Sequence, residues 1–86
     1  MNAILKQKTW TVYMLKCADG KYYTGCTGNL GQRMNAHVNG KVSFTASRLP
    51  FEVVTQIVFK EKHKAYLFEK YLKSGSGKAF ANKRLL

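Results

Sequence analysis

Acidic residues are scarce in this chain: Asp19, Glu52, Glu61 and Glu69 stand against fifteen lysines and arginines among 86 residues. Chemistry run on paired metal ions needs a cluster of carboxylates around them, and this chain has none to offer. Cysteine is as sparse. Cys17 and Cys26 lack the CxxC spacing of redox and zinc sites, and their shared hairpin does not set them opposite each other, so both are expected as free thiols. No apolar run approaches the ~18 residues of a membrane span, and Met1 to Lys6 holds no apolar stretch of signal-peptide length. The expectation is a soluble, cytoplasmic chain without a membrane partner. Repeats, low-complexity tracts and linkers are missing too, which leaves one domain over residues 1–86, with 1–8 as a loose N-terminal segment.

What is abundant is positive charge. The formal charge of +11 is spread over the whole length. Such a chain attracts polyanions, and release of their counterions makes the binding salt-dependent. Passive nucleic-acid binders share that property, so charge alone does not identify an enzyme. The acids discriminate better. Asp19 belongs to a turn, Glu52 opens a strand after Pro50-Phe51, and Glu61 complements the dipole in a helical first turn. Glu69 alone has no local structural task. A metal here would be one divalent ion, Mg²⁺ or Mn²⁺, held by that carboxylate together with water and a substrate phosphate.

Hydrophobic periodicity and turn residues predict strands at Trp10 to Lys16, Lys21 to Cys26 and Phe51 to Phe59. Helices are predicted at Asn29 to Val38, Glu61 to Leu72 and Ser76 to Leu85, the first ended by Asn39-Gly40 and the second by Gly75. The fold class is therefore α/β, a three-stranded antiparallel sheet flanked by helices. The connection from Lys41 to Leu49 reads as a long polar loop with almost nothing that packs, suited to touching a phosphate backbone. Ser74-Gly75-Ser76-Gly77-Lys78 is not a phosphate-binding loop, because a helix precedes it and Leu72 and Ala79 stand where Gly and Ser/Thr are required.

The first two strands form a hairpin whose loop decides which side chains share a face. A two-residue loop, Asp19-Gly20, puts Tyr13 and Tyr23 on opposite faces. A three-residue loop, Ala18-Asp19-Gly20, pairs Cys17 with Lys21 and Leu15 with Tyr23, and both tyrosines then share a face with Thr11, Leu15 and Gly25. Gly20 stands where that loop needs a left-handed residue, which favours the second arrangement. Trp10, Val12, Met14, Tyr22 and Cys26 then form the core face. As bland alternatives, the tyrosines are ordinary strand aromatics, and Arg33 with His37 is a solvated basic stripe about 100° from a buried Leu30–Met34–Val38 stripe. Glu69 falls at the edge of an inward arc of Ala65, Phe68, Tyr71 and Leu72. Its bland partner is Lys73 at i+4, worth a few tenths of a kcal/mol.

Thr11-Val12-Tyr13 with Tyr23-Thr24-Gly25, then Arg33-x-x-x-His37-x-x-Gly40-Lys41, Arg48-x-Pro50, Glu69-x-x-Leu72-Lys73 and Gly75-x-Gly77-x-x-Phe80, resemble the signature of the GIY-YIG nuclease superfamily. The resemblance spans nearly the whole chain and is greatest to small stand-alone bacterial members; the family also includes the nuclease of bacterial excision repair. Thr11, Val12 and Thr24 depart from the motif's spelling at backbone or packing positions. The resemblance implies an endonuclease hydrolysing phosphodiester bonds in DNA. Tyr13 and Tyr23 would flank water and phosphate, with Tyr13 as general base, and Arg33 would neutralise the phosphoryl charge. His37 would orient water, contact phosphate or share a proton with Tyr13. Glu69 would hold the metal, and Asn82 resembles a terminal asparagine that packs into some family active sites. Lys41, Arg48, Lys73 and Lys78 are the expected nucleic-acid contacts. With no recognition module, intrinsic sequence specificity should be low unless a protein partner supplies it. The reading from another class is a non-catalytic basic binder of DNA or RNA that keeps the fold.

Overall fold

The computed structural model describes residues 8–86, so the proposed loose N-terminal segment lies, Lys8 apart, outside the described residues. Strands β1 (Trp10–Cys17), β2 (Tyr22–Thr27) and β3 (Phe51–Phe59) form one antiparallel sheet in the order β2-β1-β3. Helices α1 (Leu30–Val38) and α2 (Ser43–Ala46) lie between β2 and β3; α3 (Lys62–Leu72) and α4 (Gly75–Arg84) follow. The expected α/β architecture is the one observed.

The hairpin settles the choice of loop. Leu15 pairs with Tyr23 and Tyr13 with Gly25, and the Cys17 amide donates to the Lys21 carbonyl at 2.8 Å. That is the three-residue loop, with Gly20 at φ 84° as its left-handed residue. Asp19 secures it from within, accepting from the Lys21 amide at 3.0 Å. The two cysteines are free, and Cys26 faces Val12 while Cys17 faces Phe51.

One face of the sheet carries Val12 and Met14, 1% and 4% exposed, and is sealed by Ala65 and Leu72 of α3 and Ala81 of α4, with Trp10, Phe59 and Phe68 at its margin. Burying each large apolar side chain there stabilises the fold by about 1.5–3 kcal/mol. A register shift in the β1–β3 pairing between Met14 and Leu15 leaves Val54 as an extra residue, and it too packs on this core. The other face carries Tyr13 and Leu15, both fully buried, with His37 of α1 packed on Tyr13 and bonded in turn to Thr45 of α2.

Three expectations are corrected. The connection after Gly40 is not an unpacked loop: it contains α2, and Thr45 is completely buried. The second helix is not capped by Gly75. Ser74 caps α4, its hydroxyl accepting from the Gly77 amide at 3.1 Å, and Gly75 is already helical. A side-chain oxygen on Ser74 satisfies the first-turn donors, so α4 starts at Gly75, one residue before the expected Ser76, and the helices abut with no glycine turn between them. Third, Val38 is 61% exposed while His37 is 0% exposed, so α1 is rolled round from its apolar stripe. The tyrosines beneath it need polar partners, and that need outweighs burial of one valine.

Gly20→Ala should destabilise the fold by roughly 1–2 kcal/mol, because a Cβ is disfavoured in left-handed backbone, whereas Gly20→Asn should cost less. Urea unfolding of both variants checks this; equal effects would mean the turn does not require its left-handed residue.

Candidate active site

Tyr13 points across β1 over its partner Gly25, and the register makes that glycine obligatory. A Cβ at position 25 would collide with the Tyr13 hydroxyl and ring. The cleared space lets the phenol reach helix α1. There its oxygen lies 2.9 Å from Nε2 of His37 and receives a long 3.4 Å contact from Nε–H of Arg33. Tyr23 sits alongside, its ring centroid 6.2 Å from that of Tyr13 and 4.9 Å from the His37 ring. The hydrogen bond to Tyr13 first, and the nearby Tyr23 phenol second, raise the pKa of Arg33, which stays charged.

We assign the imidazole tautomer from the contacts of Thr45. Thr45 donates its hydroxyl proton to the Val42 carbonyl at 3.3 Å, so its oxygen accepts Nδ1–H of His37 at 2.8 Å. Nε2 then carries the lone pair and accepts the Tyr13 hydroxyl proton. A directed chain results, from Tyr13 to His37 to Thr45 to a backbone carbonyl. Among the described residues no buried side-chain polar atom lacks a partner. Burial, reinforced by the charge of Arg33, lowers the pKa of His37 below its ordinary 6.5 and keeps the ring neutral. Burial pushes Tyr13 up to about 12 despite the opposing effect of Arg33.

The structure thus brings Tyr13, Tyr23, Arg33 and His37 together. Glu69 approaches from α3, near enough for its charge to raise the pKa values of Tyr13 and Cys26. Its side chain is 17% exposed and paired with Lys73 at 2.9 Å, the i+4 partner expected on structural grounds alone. Asn82 is exposed on α4 and, with Tyr23, Lys73 and Lys78, lines a cavity that adjoins this cluster. Lys41 is exposed just beyond α1. Arg48 is held structurally: it binds Asp19 at 3.0 Å, donates to the Phe44 carbonyl at 2.7 Å and stacks on the Phe44 ring at 4.1 Å. It braces α2 against the hairpin. Thr45 was not foreseen, for an isolated threonine in a polar connection carries no signal. Gly25 was legible, because counting back from the three-residue loop sets it opposite Tyr13.

Residues 9–84 match the family described as the GIY-YIG catalytic domain. A UPF0213 protein of Cupriavidus pinatubonensis is 36% identical over 81 residues, covering 90% of each chain. Another, from Clostridium perfringens, is 43% identical over 63 residues, 72% of this chain and 68% of its own. The solution NMR structure of the UPF0213 protein BH0048 from Bacillus halodurans superposes with a TM-score of 0.58 at 32% identity, over 90% of this chain and 86% of the other.

The buried pair makes stability depend on pH at both ends. As pH falls through about 6.5, the unfolded chain binds a proton at His37 that the folded chain refuses, so stability drops. As pH rises beyond about 10, the unfolded chain releases a Tyr13 proton that the folded chain keeps until about 12, and stability drops again. Urea unfolding across pH should show both limbs. His37→Gln should flatten the acid limb and Tyr13→Phe the alkaline one; limbs unchanged in these variants would assign the titration elsewhere.

Proposed function

Because this chain belongs to the GIY-YIG catalytic-domain family, we propose that it is a metal-dependent endonuclease that hydrolyses phosphodiester bonds, DNA first among its substrates. The observation that carries the reading is the directed hydrogen-bond chain under Arg33. An ordinary structural tyrosine does not need a glycine cleared for its hydroxyl, a neutral histidine behind it and a cation in front.

A phenol near pH 12 is a poor store for a net charge, but it does not have to be one. Tyr13 takes a proton from the attacking water while its own proton passes to Nε2 of His37. The phenol ends neutral and the imidazole ends protonated. The effective base is therefore His37, whose pKa below 6.5 suits it to neutral pH. The water oxygen bonds to phosphorus, the P–O bond to the leaving oxygen breaks, that oxygen takes a proton from solvent, and the imidazolium of His37 releases its proton back through Tyr13 to solvent. Arg33 stabilises the added charge on the phosphoryl oxygens. Tyr13 is 0% exposed in this structure, so Arg33 must swing from its long contact onto a phosphate before water reaches the hydroxyl. Thr45 is a positioning residue that holds the tautomer.

The donor set fits a metal held lightly. Asp19 is occupied by Arg48, and Glu52 and Glu61 are exposed elsewhere, which leaves Glu69 as a hard oxygen donor near Tyr13. One carboxylate with water and substrate phosphate is an ordinary Mg²⁺ environment. When bound, the ion would supply Lewis-acid polarisation of the phosphate. The Lys73 ion pair opposes it only weakly, since i,i+4 pairs contribute about 0.3–0.5 kcal/mol.

Nucleic-acid affinity is supported by the charge of +11 and by an aromatic and cationic cluster near the start of β1. The ammonium groups of Lys8 and Lys62 lie 4.9 and 5.2 Å from the Trp10 ring centroid, and Tyr66 beside it is 40% exposed. A second reading, binding without turnover, is favoured by the sealed state of Tyr13.

Cleavage assays over several DNA and RNA structures, with Mg²⁺ or Mn²⁺ titrated, separate the two. Arg33→Ala should retain affinity and lose ~10²-fold in kcat, and His37→Gln should lose a comparable factor. Glu69→Gln should bind nucleic acid but lose metal-dependent cutting. No cutting by the wild type on any substrate would leave the passive binder.

Thr45→Val should lower kcat about 10-fold with KM unchanged and distort the acid limb of the pH–rate profile, which for the wild type lies below pH 6.5. A Thr45→Ser variant should restore both. Failure of serine to rescue would show that threonine is needed for packing alone.

A further inference from the structure

We propose that the cavity between β2 and α4 is a nucleobase pocket, which receives one base of the substrate strand, out of its stack, beside the phosphate being cleaved. The proposal rests on the phosphodiesterase reading for its substrate class. Its test is a binding measurement that does not require turnover.

The cavity measures about 450 Å³, within the ~300–1,000 Å³ range of small-molecule pockets. Its floor is apolar: Met14, Leu72 and Ala81 line it and are 4%, 2% and 2% exposed. Tyr22 and Thr24 contribute from the face of β2 opposite the Tyr13 hydroxyl, since strand side chains alternate and the register puts Tyr13 with Gly25 and Met14 with Thr24. Tyr22 is 40% exposed and gives an aromatic surface at the opening. Asn82 adds a primary amide that is exposed and, among the described residues, makes no side-chain hydrogen bond, so both its donor and its acceptor are available. Lys73 and Lys78 supply the charge.

Each part selects the same kind of ligand. An apolar floor with a tyrosine fits a flat aromatic body. A free amide matches the adjacent donor and acceptor on a base edge, as asparagine does with adenine. Two ammonium groups complement an attached phosphate. Position completes the case, because Tyr23 lines this cavity and also faces Arg33, while Lys73 pairs at 2.9 Å with Glu69. A nucleotide with its base in the cavity and its phosphate on Lys73 therefore places the next phosphodiester towards Arg33 and Glu69. A base held here is out of a duplex stack, so substrates with an unpaired or mismatched base at that position reach the site at lower cost.

The test titrates the ¹⁵N-labelled full chain with dAMP, with 2-deoxyribose 5-phosphate and with inorganic phosphate, followed by NMR. Tighter binding of dAMP than of the sugar phosphate, by about 10-fold, is expected from base–aromatic stacking. Its shifts should centre on Tyr22, Thr24, Ala81 and Asn82. Thr24→Phe, which fills the cavity from the strand side, should abolish the dAMP advantage and leave phosphate binding intact. Asn82→Ala, at an exposed helical position that tolerates alanine, should weaken dAMP but not the sugar phosphate. Equal affinity for all three ligands, or shifts confined to the lysines, would overturn the pocket. Cleavage by the wild type without base-dependent binding would sink the pocket alone; base-dependent binding with no cleavage of any nucleic acid would sink the phosphodiesterase reading and leave the pocket.

Discussion

The hydrogen bond between Tyr13 and His37 is the constraint around which this small molecule is arranged. A phenol and an imidazole, both fully buried, are tolerable only if every donor meets an acceptor. The requirement propagates outward. It demands a glycine opposite Tyr13 and turns α1 until His37 faces the sheet. It also recruits Thr45 from a short helix to close the far nitrogen. Arg48, bridging Asp19 to α2, holds that helix where Thr45 is needed. A hairpin loop and a polar connection thereby contribute to the same buried chain.

Charge is distributed to the opposite effect. With fifteen cationic side chains and four acids, the fold carries a net self-repulsion. Both ion pairs present among the described residues use an acid where it does something local: Asp19 fastens α2 to the hairpin, and Glu69 waits at the core edge under Lys73. Neither pair is deeply buried, so their value lies in placement more than in free energy. The neutral state of His37 follows from the same field, for Arg33 adds repulsion to the desolvation that already disfavours imidazolium.

Strand β2 divides the work between its faces. One face supplies Tyr23 and Gly25 to the hydrogen-bonded centre, and the other turns Tyr22 and Thr24 towards α4. As an edge strand, β2 leaves both surfaces reachable from one side of the sheet. The Arg33 guanidinium lies on one side of that edge and the lysine-rimmed cavity on the other.

The loop chemistry of Ala18-Asp19-Gly20, the alternation of β1 and β2 and the span of β3 were all legible in the chain, because they depend on near neighbours and on a period of two. So was Glu69 at the edge of its helix, and so was Gly25 opposite Tyr13. Local rules failed where a distant polar group had to be satisfied. Apolar periodicity alone puts Val38 inside α1, yet the buried hydroxyls of the sheet draw His37 in instead. Helix α4 starts at Gly75 under a Ser74 cap, one residue before the expected Ser76, because α3 and α4 abut directly. Thr45 lies in a segment with no pattern at all, and its burial follows only once Nδ1 of His37 is in place. The sequence by itself determined the strands, the register and the set of chemically capable side chains, since those rest on backbone geometry over a few residues. Only the tertiary structure decided which of those side chains meet, because the cost of an unpaired buried polar group is felt across the whole packed interior.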